Sequence, residues 1–362
     1  MRKSASVVGL LGGVMIAAAG CGDDLRAASP ADGELAAAAT AVVPLAPVVL
    51  ATAPEQDRLY DLALADGNVY FGGGVSIPPP PDSSERNDER GVVRRVPAGG
   101  GAVQEIWTGE GQVNDLAVGG GTVFFLAYDF TDRTGRLERV AASGGDAAEL
   151  GNWFSHGSTH SLALDAQTVF WTHSAGASSF VIRTSGVDGT STMLADSSTI
   201  GSSAGNILFD RGTLYFGSNG STVFKLAADG ASPPVVLFSP GTEITALAVA
   251  PAGDALYAGY ADPADPVRGA IARIDLTAAP VKTRQLTGTA TRVLALAADA
   301  RFVYFGVTPD AAGNGQLGRI GARGGPARVL LTGAFTPASL TLDATSLYWL
   351  DATGRTVNKA AR

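Results

Sequence analysis

From Leu62 onward the chain repeats one alternation of apolar and polar positions seven times. An apolar run, a short turn and a hydrophobic-aromatic segment appear at Leu62-Ala63-Leu64 to Tyr70-Phe71, Leu116-Ala117-Val118 to Phe124-Phe125, and Leu162-Ala163-Leu164 to Phe170-Trp171. The unit returns at Ile207-Leu208-Phe209 to Tyr215-Phe216, Leu247-Ala248-Val249 to Tyr257, Leu296-Ala297-Ala298 to Tyr304-Phe305, and Leu340-Thr341-Leu342 to Tyr348-Trp349. First aromatics of successive copies lie 42 to 54 residues apart, averaging about 46, the length of a four-stranded propeller blade.

A second pattern runs in step with the first: an aliphatic residue, any residue, then a base. It reads Val93-Arg94-Arg95, Leu137-Glu138-Arg139, Val181-Ile182-Arg183, Val223-Phe224-Lys225, Ile271-Ala272-Arg273, Leu317-Gly318-Arg319 and Val357-Asn358-Lys359. Turn pairs such as Gly144-Gly145 and Asp229-Gly230 usually follow, then a short last strand, so each unit predicts four strands, A to D. Alanine sits mid-strand A in five of the seven copies (Ala63, Ala117, Ala163, Ala248, Ala297), the small residue that crowding around a central axis permits. The seventh unit has no strand D before Arg362, while the apolar residues 42–52 have no blade of their own. The expected fold is therefore all-β: a seven-bladed propeller of four-stranded antiparallel blades, its last blade closed by an N-terminal strand.

The repeat resembles those of the YWTD, NHL and TolB-like propellers, most closely in Leu347-Tyr348-Trp349-Leu350-Asp351 followed by Val357-Asn358-Lys359. The resemblance implies a platform for binding proteins, glycans or small ligands, and in some members an enzyme; the fold does not choose among these.

Ahead of the repeats, Arg2 and Lys3 precede an uncharged run from Val7 to Gly20, long enough for a signal peptide and too short to cross a bilayer. It ends in Ala18-Ala19-Gly20-Cys21, which resembles the bacterial lipobox and implies lipid attachment at Cys21, the only cysteine of the chain. With no second cysteine there is no disulfide and no thiolate metal cluster. The expected organisation is a signal peptide and lipobox over 1–21, an Ala-rich tether over 22–41 and the propeller over 42–362, lipid-anchored and extracytoplasmic in a bacterial envelope.

Composition sharpens this in two ways. At 46% apolar and 17% charged residues the chain is too apolar for disorder. Its net charge of −8, with no basic cluster or basic-aromatic stripe, argues against nucleic acid as a partner. Loss of Arg2 and Lys3 on cleavage makes the body more acidic, so attachment is expected to depend on acyl chains and not on surface electrostatics.

Candidate chemistry is sparse. The longest connection, residues 72–91, joins Pro78-Pro79-Pro80-Pro81 to Asp82, Glu85, Asp88 and Glu89, and reads equally as a recognition loop or a tolerated insertion. All three histidines lie close in sequence: His156, His160 and His173. A two-residue turn at Ala166-Gln167, with the register continued, places His160 opposite His173, where the pair could share zinc; locally bonded histidines are the plainer reading. Asp61 and Asp115 occupy matching positions where strand A begins in adjacent units, with Ser161 and Asn206 in the next two. They are expected to ring one channel mouth, either holding a hard cation such as calcium or bonding to backbone at the strand starts. Asp129 with Asp132, and Asp262 with Asp265, lack the length and glycine placement of an EF-hand. The base recurring on strand C points to a shared structural task, such as pairing with a neighbouring carboxylate or lying along the blade surface.

No G-x-S-x-G elbow, H-E-x-x-H helix, P-loop or nucleotide fingerprint is present. The sequence thus favours a monomeric, membrane-attached binding propeller recognising a protein or a cell-surface polysaccharide. The alternative is a metal-assisted hydrolase or lyase at the channel mouth, using Asp61 and Asp115 with the His160 and His173 neighbourhood.

Overall fold

The computed structural model describes residues 45–77, 88–131, 133–151, 157–175, 178–201, 204–218 and 221–362. Residues Val42–Arg362 form one compact unit of seven four-stranded antiparallel sheets. Blades 1 to 6 follow the chain, each running A to D from the axis outward: their A strands are Asp57–Ala65, Gln112–Gly119, Gly157–Asp165, Ala204–Asp210, Ile244–Val249 and Val293–Ala298. Blade 7 takes Pro337–Leu342, Ser346–Asp351 and Thr356–Ala361 as strands A to C, and its outermost strand is Val48–Thr52 from the other end of the chain. That strand pairs antiparallel with strand C, Val48 opposite Lys359 and Thr52 opposite Thr356. It buries Leu50 and Ala51 among Leu59, Leu62 and Tyr348, so closing the ring also joins blades 1 and 7 in one apolar cluster. Closure spares the first and last blades an open edge.

The core lies between blades. The repeated aromatics, among them Tyr70, Phe71, Phe124, Phe125, Phe170, Trp171, Tyr348 and Trp349, are nearly or wholly buried, and each apolar cluster draws on adjacent sheets. Strand B makes room for the next blade with glycine. A Cβ on Gly72 would sit 2.7 Å from Val113 Cγ1, and one on Gly259 would sit 2.7 Å from Val293 Cγ1, so a side chain there would push adjacent blades apart.

Every strand A carries a β-bulge near its start: the register with strand B shifts between Leu59 and Asp61, Val113 and Asp115, Thr159 and Leu162, Ala204 and Ile207, Ile244 and Ala246, Val293 and Ala295, and Pro337 and Ser339. A bulge sets two residues against one and re-aims the side chain beside it.

The bulge corrects the expected histidine pair. The turn at Ala166-Gln167 forms, and Leu162 to Asp165 pair with Trp171 to Thr168 in the expected register, but the slip after Leu162 sets Thr159, not His160, opposite His173. His173 is fully buried, edge-on to Trp171 and stacked at 6.5 Å on Phe180. His156 lies outside the described residues, as do Cys21, Asp82, Glu85 and Asp132.

Candidate functional site

The inner strands surround an axial cavity of about 440 Å³, lined where strand A begins by Asp61, Asp115, Ser161, Asn206 and Ser339. The expected ring of matching positions is therefore present. It takes in Ser339 as well, which the sequence did not single out because its partner, Asp61, is 278 residues away and only ring closure joins them.

Each of these side chains ties its blade to a neighbour. Asp61 Oδ2 accepts from the N–H of Leu116 in blade 2 at 3.2 Å, and Asp115 Oδ2 from the N–H of Leu162 in blade 3 at 3.0 Å. Ser161 Oγ accepts from the N–H of Ile207 in blade 4 at 3.3 Å, and Asn206 Nδ2 donates to the carbonyl of Thr245 in blade 5 at 2.8 Å. Ser339 Oγ donates to Asp61 Oδ1 at 2.8 Å, joining blade 7 to blade 1. Beside the bulges, the strand-start amides of Leu116, Leu162 and Ile207 thus take their acceptor from a side chain of the preceding blade. Blades 5 and 6 place Ala246 and Ala295 at this position.

Asp61 and Asp115 also bond to each other. Desolvation raises both carboxyls, and the Asp61 charge drives Asp115 further, well above the usual carboxylate range. Such a pair favours sharing one proton, Asp115 being the more readily protonated member, while the Leu116 N–H and Ser339 hydroxyl favour the charged form of Asp61. Two half-buried oxygen donors beside an aqueous cavity have the chemistry to take a hard cation in exchange for that proton. Among the described residues, no group of three or more His, Cys, Asp or Glu side chains is placed to hold a metal ion.

The repeated base of strand C forms a second set of ties near the opposite end of the blades. Arg95 donates to the carbonyl of Ala142 in blade 2 at 2.9 Å, Arg139 to Gly186 in blade 3, and Arg183 to Ala228 and Asp229 in blade 4 at 3.4 Å. Lys359 reaches from blade 7 to Ala98 in blade 1 at 2.9 Å. The base has a shared structural task, as expected, but its acceptor in these blades is a main-chain carbonyl of the next blade and not the expected carboxylate. The pattern lapses in blades 4 to 6: Lys225 is exposed, Arg273 pairs with Asp254 and Asp275 of its own blade, and the Arg319 guanidinium lies 4.4 Å over the Phe302 ring. The acidic loops are Asx turns, Asp129 accepting from the N–H of Thr131, Asp262 from Ala264 and Asp265 from Val267.

Comparison with known proteins supports the fold and no family. No family model matches the sequence, and no curated protein matches it. Among solved structures, an inactive variant of virginiamycin B lyase from Staphylococcus aureus with quinupristin superposes at a TM-score of 0.66 and 14% identity, covering 88% of this chain and 99% of that one. Oligogalacturonate lyase in complex with manganese gives 0.61 at 12% identity over 88% and 96%, and the computationally designed Ika8 protein 0.54 at 16% over 87% and 99%. At such identities the likeness is one of architecture: this chain is a seven-bladed β-propeller.

Proposed function

We propose that the protein is a lipid-anchored, extracytoplasmic binding propeller that recognises a protein or cell-surface polymer and performs no chemistry of its own. One observation carries this reading: the polar side chains at the channel mouth are spent on holding blades together, each bonded to the adjacent blade. Groups committed to main-chain amides are poorly disposed to trade partners with a reacting substrate. Where the strand starts serve as scaffold, loops and outer surfaces are left for recognition.

A second reading has one observation in its favour. The Asp61–Asp115 pair faces a cavity of about 440 Å³, and two lyases share the architecture, one solved with manganese. Under that reading the pair would release its proton and bind a divalent cation that polarises a substrate oxygen.

Purification of the intact protein from its native membrane after mild cross-linking separates the two. Retention of a partner protein or polymer in stoichiometric amount, with metal far below one equivalent, is the expected result. Stoichiometric calcium, zinc or manganese, lost in Asp61→Ala, would replace the binding reading with the enzymatic one. Incorporation of labelled fatty acid into the wild type and not into Cys21→Ser is the expected check on the anchor.

A further inference from the structure

Charge is unevenly shared around the ring. Residues 45–267 hold 25 acidic and 11 basic residues, whereas residues 268–362 hold 5 acidic and 12 basic. Strands C and D of blade 5, with blades 6 and 7, therefore make a net positive sector in an acidic protein.

The excess is displayed on the face that carries the A–B and C–D turns. Lys282, Arg284, Arg301, Arg323 and Arg328 are all exposed there. Two clefts lie among them: one of about 650 Å³ lined by Arg273, Lys282, Arg284 and Arg323 together with Asp254 and Asp275, and one of about 250 Å³ lined by Arg319 and Arg328. The acids on this sector are largely engaged, Asp254 and Asp275 with Arg273, and Asp299 with Arg362. In blades 7, 1, 2 and 3 the strand C base is spent on the next blade's turn carbonyl; in blades 5 and 6 that use has lapsed and the cationic groups line open clefts.

The N-terminal segment joins the propeller at the rim of the same face. The N–H of Leu45 donates to the carbonyl of Leu330 in blade 6 at 3.1 Å, two residues from Arg328. Val48 and Val49 on the closing strand and Val329 on strand D of blade 6 are 59%, 55% and 50% exposed. Cations, exposed valines and Leu45, the first described residue, thus lie on one edge of the ring.

We propose that this face seats the propeller on an anionic membrane surface, lipid phosphates occupying the clefts of blades 5 and 6. The proposal rests on the lipid-anchored reading above and adds an orientation to it. An acyl anchor alone would not orient the domain, because a stretch of some 24 residues between Cys21 and Leu45 reaches up to about 80 Å when extended. Guanidinium groups in a cleft take phosphate oxygens in bidentate fashion, and exposed valines add interfacial contact. The sequence-based expectation that an acidic body is repelled by anionic lipid holds for the net charge; segregation reverses it locally, since screening restricts each lipid charge to what lies within about 8–10 Å. Seated this way, the propeller turns its D–A and B–C loops away from the bilayer, toward a partner.

The test uses full-length Cys21→Ser, which has no thiol to acylate, sedimented with vesicles of phosphatidylcholine with or without phosphatidylglycerol. A preference of about tenfold or more for the anionic vesicles is expected, falling away at high salt. It is expected to vanish in the same background carrying Lys282→Glu, Arg323→Glu and Arg328→Glu, exposed side chains that form none of the ties between blades described above. The apolar leader is common to both proteins and cancels in the comparison. Equal binding to both vesicles, or an unchanged preference in the triple variant at an unchanged melting temperature, would overturn the proposal. So would displacement by inorganic phosphate at constant ionic strength, which would indicate a single-phosphate site, or capture by a soluble carboxylated polysaccharide without vesicle binding, which would indicate a glycan. If the triple variant does not fold, the salt titration of its parent decides. Fatty-acid labelling of the wild type reports on the anchor separately, so a failed seat and a failed anchor are distinguishable.

Discussion

Blades 7, 1, 2, 3 and 4 are tied in succession at two levels, by a polar side chain at the start of strand A and by a base at the end of strand C. Blades 5 and 6 carry alanine at the first level, and at the second their bases turn to acids of their own blade or to a ring. Contact there falls to other groups: the Tyr257 hydroxyl donates to the carbonyl of Ala322, Arg284 to that of Arg323, and Arg362 pairs with Asp299. One repeat thus serves two ends in one ring. Where its polar positions are consumed between blades they make scaffold; where they are released they leave basic clefts.

The contrast can be broken first at its centre. Asp61 takes the Leu116 N–H, the Ser339 hydroxyl and the Asp115 proton, so Asp61→Ala strands three partners and is expected to cost about 2 kcal/mol or more in chemical denaturation. A loss no larger than that of a typical surface substitution would mean the ring is geometry without energy.

Asp115 sharpens the comparison through pH. Its native carboxyl is raised above the ordinary value of 3.8 by burial and by Asp61, so the folded state gives up this proton at a higher pH than the unfolded chain does. The site's contribution is full below 3.8 and is lost as pH rises through the raised native value. Asp115→Asn is neutral at every pH and can still donate to Asp61 and accept from Leu162. It is expected to melt with the wild type in acid and to be about 1 kcal/mol more stable near neutrality, read from melting curves across pH. A parallel offset at all pH values would contradict the shared proton.

The smallest effect distinguishes the sectors by a matched pair. Arg139→Ala loses a half-buried bond to the Gly186 carbonyl and should cost about 1 kcal/mol, whereas Lys225→Ala, at the same repeat position and exposed, should stay within about 0.5 kcal/mol. Equal costs would erase the distinction between the two halves of the ring.

Blade number, strand order within each blade and closure by the N-terminal strand were legible in the sequence, because each depends on a period that recurs without regard to contacts. The ring of Asp61, Asp115, Ser161 and Asn206 was legible as matching positions with backbone at the strand starts as one expected partner, though not that this backbone belongs to the next blade. The histidine pair failed for a local reason. Its argument extended a hairpin register through Ser161, where a bulge intervenes, and nothing in the residues from Thr159 to Leu162 marks the slip. Likewise the recurring base announced a shared task, but a neighbouring carboxylate was the expected partner where the structure supplies a turn carbonyl, since main-chain carbonyls are chemically alike in every residue and leave no mark in the sequence.

By itself, then, the sequence determined the architecture, since alternating apolar residues at a fixed period bury well in only one way, as stacked blades around an axis. Tertiary structure alone decided which polar residues are scaffold and which are free. That depends on contacts between neighbouring blades and across ring closure, where Ser339 meets Asp61, and on whether a turn carbonyl of the next blade lies within reach of each base. Separations of that kind are invisible along the chain, and they set both the shared proton at the axis and the basic clefts at the rim.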